Sequence, residues 1–399
     1  MIKQVLIVVL ILILGMYLGF QLPRGASLLS TIGNLTTNAS DDYSQTKSHQ
    51  ALLDLIKTID SNRKMVLKDA RTEQEAIEGM RWIMRVLAMA TEVAADANPR
   101  QPHFQRMDTA VRKVGGDNPD AEYHNVAIDG NYDYLITGNV GDVTYFSFTI
   151  SAGKGMTPRS LAGFIADRDL TLDDNGNFTL ILSKEKPEQD GDWIQITPDA
   201  SGILVREYIA NRTTYVPVEM NIEILGGNPN YTPPSDEEIA NSLIGTSYAY
   251  YMLSSLHKLV LPELMKQPNR FVTTDSNVLG GAISSEDNLY MIGSFQIADD
   301  EALIINAQPP ETRYWNLTLE TRWHETYDYL SRPTSLTLDD VEYSEDGTLE
   351  FMISHKNMGH PNWLDTSGHN FGFMTFRWLE EKNNNVILPK VKIVKLADL

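Results

Sequence analysis

The sequence predicts a mainly β protein that also contains helices, with two β units in its body and an apolar segment at its N-terminus. From about residue 104 onward, short runs with alternating apolar and polar residues recur roughly every ten residues. The stretches before and between these runs instead place apolar residues at helical spacing. The chain has 399 residues, which exceeds one average domain, so we expect at least two folded units.

The composition excludes several classes of protein. Hydrophobic residues make up 42% of the chain, which is enough for a core and excludes a disordered protein. The formal net charge of −20 argues against a nucleic-acid partner, because phosphate binding requires a basic surface. The chain has no cysteine, which excludes disulfides, cysteine-ligated zinc and iron–sulfur clusters. The sequence predicts no cofactor.

The first 22 residues predict a transmembrane signal-anchor. The run from Val5 to Phe20 contains no charged residue, and as a helix it approaches the roughly 30 Å thickness of a hydrocarbon core. No small-residue cleavage site follows it clearly, so an uncleaved anchor is favoured over a cleaved signal peptide. This predicts a protein that is attached to the membrane by its N-terminal helix, with its bulk exported to the periplasmic or extracellular face.

Residues 23–100 are predicted to form a linker and a helical segment. The linker is rich in glycine, serine, threonine and asparagine. Thr72 and Glu75 then have the spacing of a capping box, which indicates the start of a helix. An apolar stripe follows and predicts that the helix is amphipathic; it consists of Ile77, Met80, Ile83, Met84 and Leu87.

The two β units are predicted at residues 101–225 and 276–399. Runs such as "YHNVAIDG" and "VTYFSFTI" are separated by turn sequences such as "DDNGN". Short strands with tight turns favour a sandwich or a barrel. Residues 226–275 are predicted to be a helical connector, because Ser235 and Glu238 form a second capping-box pattern.

Several motifs in these units occur in a known family. They are "GGDNPD" near residue 115, "RW" at Arg322, and "NWLDT" followed by "GH" near residue 365. From about residue 106 to the C-terminus, the chain resembles the bacterial family catalogued as domain of unknown function 1214. The resemblance implies two jelly-roll-like β-sandwich units, and it implies no established reaction.

The segment "KVGGDNPD", residues 113–120, combines two glycines with acidic and amide side chains. These residue types can build a turn or bind a cation. A calcium loop requires oxygen ligands in a fixed order, and this segment does not supply that order. We therefore predict a structural turn.

The candidates for chemistry lie in the second β unit. Histidines and carboxylates can transfer protons, and the candidate catalytic residues are His324, Glu325, Asp365 and His369. Arginines contact anions and aromatic side chains cover apolar or sugar ligands, so the candidate ligand-binding residues are Arg322, Trp323, Trp363 and Arg377. The HEXXH pattern, the P-loop and the G-x-S-x-G elbow are absent, and we predict no metal site.

The segment "GHPNWLDTSGHNFG", residues 359–372, is the densest of these candidate regions. A structural loop is favoured over a ligand-binding rim, and a metal site is least favoured because no H-x-H pair is present. Asp365 is expected to accept backbone N–H groups, and Gly368 is expected to have a positive φ. His369 is expected to project freely from the rim of the sandwich and to contact a ligand.

Two functions remain open from the sequence. The first is a non-catalytic protein of the cell envelope that binds a glycan, a lipid or another protein. The alternative is a hydrolase or lyase that acts on envelope carbohydrate or lipid. The enzyme hypothesis requires the four candidate catalytic side chains to converge in one cleft.

Overall fold

The computed structural model describes residues 43–399 except 155–156, 213, 228, 230–231, 260–261, 275–286 and 383–386. The transmembrane helix predicted for residues 1–22 lies outside the described residues. Among the helices that the structure describes, none is both long and apolar enough to cross a membrane. The chain divides into two compact units, Met1–Gln50 and Ala51–Leu399, and all the sheets and sites described below belong to the second.

From residue 43 onward, two helices precede the sheets: α1 (Lys47–Asp69) and α2 (Glu73–Ala90), which continues as a π-helical turn at Thr91–Ala95. Thr72 caps α2 as the sequence predicted, because its side chain accepts the backbone N–H of Glu75. The predicted apolar stripe is wrong in part, since Ile77 and Met84 are exposed. The buried face of α2 is rotated from it and consists of Trp82, Ile83, Val86, Met89 and Ala90.

Among the described residues between the two β units there are three helices: α3 (Asp236–Ser254), α4 (Leu256–Leu259) and α5 (Pro262–Lys266). Ser235 and Glu238 form the predicted capping box, with both reciprocal hydrogen bonds present. Helix α3 packs against α2, and a shared core joins Val86 and Trp82 to Tyr250 of α3.

The first β unit consists of two sheets. Its strands are β1 (Gln105–Arg106), β2 (Ala121–Ala127), β3 (Tyr134–Asn139), β4 (Tyr145–Ala152), β5 (Ser160–Ala166), β6 (Asn177–Ser183), β7 (Asp192–Gln195), β8 (Ala200–Tyr208) and β9 (Glu219–Ile224). The strand orders are β1-β2-β8-β4-β5 and β7-β6-β3-β9, and all pairs are antiparallel except β6 with β7. Side chains of both sheets, including Phe148 and Leu180, form one hydrophobic core, so this unit is a sandwich.

The second β unit has the same layout. Its strands are β10 (Arg270–Thr274), β11 (Asn288–Gln296), β12 (Glu301–Ala307), β13 (Tyr314–Glu320), β14 (Ser335–Thr337), β15 (Leu349–Ser354), β16 (Trp363–Asp365), β17 (Phe371–Leu379) and β18 (Lys390–Lys395). The orders are β10-β11-β17-β13-β14 and β16-β15-β12-β18, again around a single core. Strand β10 lies in the segment predicted as helical connector, because its run "RFVTT" pairs with β11.

The two sandwiches contact each other through the outer faces of one sheet each. Tyr145 and Tyr208 of the first sandwich share a small cluster with Tyr314 and Leu379 of the second. The prediction of a mainly β protein with added helices is confirmed by the four sheets. The face-to-face arrangement is the feature that creates the site described next.

Candidate functional site

A cavity of about 200 Å³ lies between the two sandwiches. Strands β2 and β8 form one wall, strands β11, β13 and β17 form the other, and helices α2, α3 and α4 close one side. One water molecule requires only about 15 Å³ on the same scale, so the cavity is large enough for a small organic molecule. Most of the lining is apolar, and it includes Met89, Met107, Val114, Leu204, Leu253, Leu256 and Ile292.

Strand alternation delivers the polar side chains to this cavity. Along β17, Phe376 and Trp378 enter the sandwich core, so Thr375 and Arg377 point to the opposite face. The same alternation on β13 places Glu320 outside the core and in the cavity wall. The polar groups of the site therefore stand on rigid strands.

His324 and Glu320 form a hydrogen-bonded pair at the cavity. His324 Nδ1 lies 2.9 Å from Glu320 Oε2, and both side chains are buried. Burial opposes the charged form of Glu320, but the hydrogen bond from His324 and the charge of Arg377 hold the pKa of Glu320 below its usual range. An ionised carboxylate can only accept a hydrogen bond, so Nδ1 of His324 carries the hydrogen that it donates to Glu320.

The other ring nitrogen of His324 is available to a ligand. His324 Nε2 is buried and has no hydrogen-bond partner among the described residues. A buried polar atom without a hydrogen-bond partner destabilises the protein by about 1–3 kcal/mol. A ligand that supplies the missing hydrogen bond removes this penalty, which favours its binding. A histidine that is fixed by a carboxylate on one nitrogen and open on the other is suited to proton transfer.

The backbone around His324 is held in an uncommon conformation. His324 has a φ of 56°, a region that residues other than glycine rarely adopt. Its ring stacks on Phe373 at 4.1 Å between centroids, and its carbonyl oxygen accepts the N–H of Gly116 at 2.8 Å. Such conformations persist only where surrounding contacts impose them, and they concentrate at functional sites.

Each wall of the cavity carries one buried guanidinium. Arg377 donates to Thr318 Oγ1 at 2.8 Å and to the carbonyl oxygen of Gly116 at 2.7 Å. Burial lowers the pKa of Arg377, but the negative charge of nearby Glu320 outweighs this effect, so the pKa is raised. Arg206 on the opposite wall donates to Thr149 Oγ1 at 2.8 Å. Both guanidiniums line the cavity and hydrogen-bond to neighbouring strands.

Asp108 contributes an acidic hydrogen to the same cavity. Burial, reinforced by the charge of Asp117, raises the pKa of Asp108 to about 8. Its Oδ1 atom is buried and has no hydrogen-bond partner within the described part of the chain. At neutral pH the neutral, hydrogen-donating form of Asp108 is therefore favoured, and Asp108 lines the same cavity as His324.

The turn predicted at residues 113–120 joins the two sandwiches beside this site. Asp117 accepts the backbone N–H of Thr326 at 2.9 Å, and Asp120 accepts Nδ2 of Asn316 at 2.7 Å. Gly116 has a φ of 76°, and a Cβ there would lie 3.4 Å from Glu320 Oε2. The segment is a structural turn, as predicted, and it also forms part of the cavity wall.

The structure does not bring the four predicted catalytic residues together, because only His324 lines the cavity. Glu325 pairs with Arg85 of α2 at 2.6 Å, and burial raises the pKa of Glu325 to about 7. Asp365 pairs with Arg332 at 2.8 Å. The convergence that the enzyme hypothesis required of these four side chains is absent.

Of the predicted ligand-binding residues, only Arg377 lines the cavity. The Arg322 guanidinium lies over a phenyl ring of β17, and the Trp323 indole is buried against α2. Trp363 donates from Nε1 to Ser354 Oγ at 3.0 Å. The three side chains do not form an exposed aromatic platform, because packing against helices and strands covers most of their surface.

The loop at residues 359–372 is built largely as the sequence predicted. Asp365 Oδ1 accepts the backbone N–H of Ser367 at 2.8 Å, which closes an Asx-turn, and Gly368 has a φ of 83°. His369 differs from the expectation, because its side chain is not free. Its Nε2 lies 2.9 Å from Glu78 of α2, and its ring stacks on Tyr327 at 4.7 Å.

Removing the His369–Glu78 pair is expected to lower stability in a pH-dependent way. Burial opposes the charged imidazole, but the Glu78 carboxylate raises the pKa of His369 above 6.5. The stabilisation from a raised histidine pKa is present below about pH 6.5 and is lost as pH rises through the folded-state pKa. We expect His369→Ala to cost about 1.5–3 kcal/mol at pH 6 and clearly less at pH 9, measured by urea unfolding.

His103→Ala is the matched control for that measurement. His103 is exposed, and its Nδ1 lies 3.2 Å from the carbonyl oxygen of Gln101, so its removal should change stability little at either pH. Equal losses for His369→Ala at pH 6 and pH 9 would show that the ion pair with Glu78 does not contribute.

Sequence reasoning missed several residues of the cavity, namely Asp108, Tyr123, Arg206, Tyr290 and Glu320. Glu320 could have been found, because alternation along β13 places it on the same face as Thr318, opposite Leu319. Asp108 and Arg206 give no such signal. Their role depends on the contact between two sandwiches, which the periodicity of single strands does not report.

A second, larger groove of about 730 Å³ runs along residues 93–101 and the start of α3. Its charged groups largely pair with one another: Arg100 with Glu238 at 2.8 Å, and Lys154 with Asp129 at 2.9 Å. The cavity between the sandwiches is the better candidate. Two of its buried atoms, Asp108 Oδ1 and His324 Nε2, have no hydrogen-bond partner in the described chain.

A solved structure with 25% sequence identity agrees with the architecture. A crystal structure of an uncharacterized protein from Burkholderia cenocepacia is 25% identical, covers 88% of this chain and 98% of its own, and superposes with a TM-score of 0.82. A Vibrio parahaemolyticus protein is 13% identical over 86% of this chain and 99% of its own, with a TM-score of 0.48. No curated protein matches significantly.

The family comparison concerns the segments that form the two walls. The model of the family described as "Protein of unknown function (DUF1214)" matches residues 119–212, which include β2 and β8, and residues 300–382, which include β13 and β17. The resemblance seen in the sequence is therefore confirmed. Over these two segments, the chain is similar to the DUF1214 family.

Proposed function

We propose that the chain binds a small, largely apolar molecule that carries a hydroxyl or carboxylic acid group, in the cavity between the two sandwiches. The observation that carries this proposal is the buried, unpartnered Nε2 of His324 in a mostly apolar cavity. Apolar pockets with a few convergent polar groups are typical of small-molecule sites. A ligand hydroxyl donates to Nε2, whereas a ligand carboxylate accepts from Nε2–H of the protonated ring. The apolar part of the ligand contacts the methionines and leucines of the lining.

The cavity favours a lipid-derived ligand among the classes that the sequence suggested. An extended glycan needs a long polar groove, whereas this lining is mostly apolar and the volume is about 200 Å³. The buried Arg206 and Arg377 favour an acid group over an amine, because like charges repel. A membrane-anchored protein with an exported body remains our proposal for its location, on the strength of the apolar run at residues 5–20.

The binding proposal is tested with short- and medium-chain carboxylic acids and the matching alcohols as probes. We expect at least one of them to raise the melting temperature of the wild type and to bind with 1:1 stoichiometry in calorimetry. His324→Ala should lower the affinity for that probe by about 5- to 150-fold, since a buried hydrogen bond to a ligand contributes about 1–3 kcal/mol.

Two further variants complete this experiment. Leu204→Trp should fill the cavity and abolish binding, whereas His360→Ala, a histidine outside the lining, should leave binding unchanged. Binding that survives Leu204→Trp would place the ligand elsewhere. A wild type that binds none of the probes would contradict the proposed ligand class.

A second candidate function is an enzyme that transfers a proton, such as a lyase. The specific observation is that an acid and a base share the cavity: Asp108, with its pKa raised to about 8, and His324, whose Nδ1 is held by Glu320. The lining contains neither serine nor cysteine among the described residues, which favours proton abstraction over acyl transfer by such a nucleophile.

A second substitution of the same histidine, His324→Gln, separates binding from catalysis. In deuterated water, an enzyme should exchange the hydrogens on the carbon next to the acid group of a bound probe faster than buffer alone exchanges them. His324→Gln should stop this exchange. A probe that binds wild-type protein without any exchange supports a binding protein and contradicts proton abstraction from that probe.

A further inference from the structure

We propose that Glu122, His124 and Glu207 form a binding site for one divalent transition-metal ion. Alternation along β2 places Glu122 and His124 on the same face of the sheet. Glu207 on β8 lies directly opposite Glu122 in the antiparallel register. One ligand atom from each of the three side chains lies within 4.8 Å of the other two.

The strongest observation is a buried carboxylate oxygen that lacks a donor. Glu207 is completely buried, and its Oε2 accepts the backbone N–H of Val218 at 3.1 Å. Its Oε1 has no hydrogen-bond partner among the described residues, and neither has Nδ1 of His124, although the two atoms are only 3.2 Å apart. A shared metal ion satisfies both lone pairs at once.

The donor set selects the class of ion. One imidazole nitrogen and two carboxylate oxygens suit Zn²⁺, Mn²⁺ or Fe²⁺, and the two carboxylates balance a charge of two. Ligand atoms at about 2.1 Å from one tetrahedral ion lie about 3.4 Å from one another, so ligand atoms that now lie within 4.8 Å have to close by up to about 1.4 Å, a movement of the side chains alone. Three protein ligands leave at least one position for water.

The groups around the cluster hold its geometry. The Tyr215 hydroxyl donates to Oε1 of Glu122, and Arg106 lies 3.0 Å from the same oxygen. Such outer contacts orient a ligating carboxylate. The Arg106 charge disfavours a nearby cation, but its guanidinium is about half exposed and water screens the repulsion.

The proposed metal site is separate from the cavity. Tyr123 lies between the two β2 ligands in sequence, points to the opposite face and lines the cavity. Arg206 likewise adjoins Glu207 and lines the cavity. A metal ion here cross-links β2 to β8, the two strands that form one cavity wall, and we infer a structural role for it.

The test uses the full chain, purified without a histidine tag and freed of metal with a chelator. Titration with Zn²⁺ in a calorimeter should show one saturable equivalent, and the bound ion should raise the melting temperature. His124→Ala and Glu207→Gln should each lose that equivalent. Glu223→Gln, an exposed carboxylate on β9, is the matched control and should keep it.

Three results would overturn the proposal. They are a wild type that binds no saturable equivalent, a His124→Ala variant that binds as much as wild type, and loss of the equivalent in the Glu223→Gln control. If either cluster variant fails to fold, X-ray absorption of zinc-loaded wild type decides the matter. One imidazole with oxygen ligands supports the site, and two or more imidazoles contradict it.

Discussion

Replacing Trp323 with alanine is expected to destabilise the protein by about 3–5 kcal/mol, the range seen when a buried tryptophan is truncated. Trp323 is 1% exposed and stacks on Trp82 of α2, with 5.1 Å between ring centroids. Its Nε1 donates to the carbonyl oxygen of Glu75 at 2.9 Å. The indole therefore binds α2 to the second sandwich, and its removal leaves a cavity and deletes this hydrogen bond.

Trp323→Phe is the control for this result. A phenyl ring keeps most of the stacking on Trp82 but loses the hydrogen bond to Glu75, so we expect a smaller loss of about 1–3 kcal/mol. Equilibrium unfolding in urea, followed by circular dichroism, measures both variants. If Trp323→Ala changed the free energy of unfolding by less than 1 kcal/mol and instead lowered the affinity for a probe, the indole would be a ligand contact, as the sequence suggested.

Replacing Asp117 with alanine is expected to cost a comparable amount, about 3–5 kcal/mol, because it breaks a buried network that includes a charge. The Asp117 carboxylate accepts both the N–H and the hydroxyl of Thr326. Its charge also faces Lys113, a buried ammonium that donates to the carbonyl oxygen of Thr326 at 2.8 Å. Alanine removes these hydrogen bonds and leaves the Lys113 charge without this partner.

Asp117→Asn separates the two contributions. The amide keeps the shape and one acceptor but removes the charge, so its cost should lie between wild type and alanine. Burial raises the pKa of Asp117, while Lys113 and Thr326 favour its ionised form. A loss for Asp117→Ala below 1 kcal/mol in urea unfolding would show that the turn at residues 113–120 does not hold the two sandwiches together.

The sequence was most informative where local chemistry decides the structure. Along β13, for example, Trp315 and Leu317 lie in the core and Asn316 lies on the other face, which is the alternation of a strand. The capping box at Ser235 and the Asx-turn at Asp365 depend on residues two or three positions apart. Such features form from neighbouring residues, so a single sequence predicts them.

The site residues show the limit of that reasoning. His324 and Arg377 were predicted from residue type, and they do line the cavity, but Asp108 and Arg206 come from another sandwich. Their burial, and the raised pKa of Asp108, arise only when two sheets meet. No pattern within one strand reports what covers its outer face.

The sequence by itself determined most of the succession of helices and strands, with β10 as an exception, and the similarity of two segments to a known family. Only the tertiary structure decided which polar side chains are free. His369 is bound by Glu78, which is 291 positions away, and Glu325 is bound by Arg85, which is 240 positions away. The reason is physical: secondary structure follows from local periodicity, whereas the partner of a charged side chain depends on which distant element packs beside it.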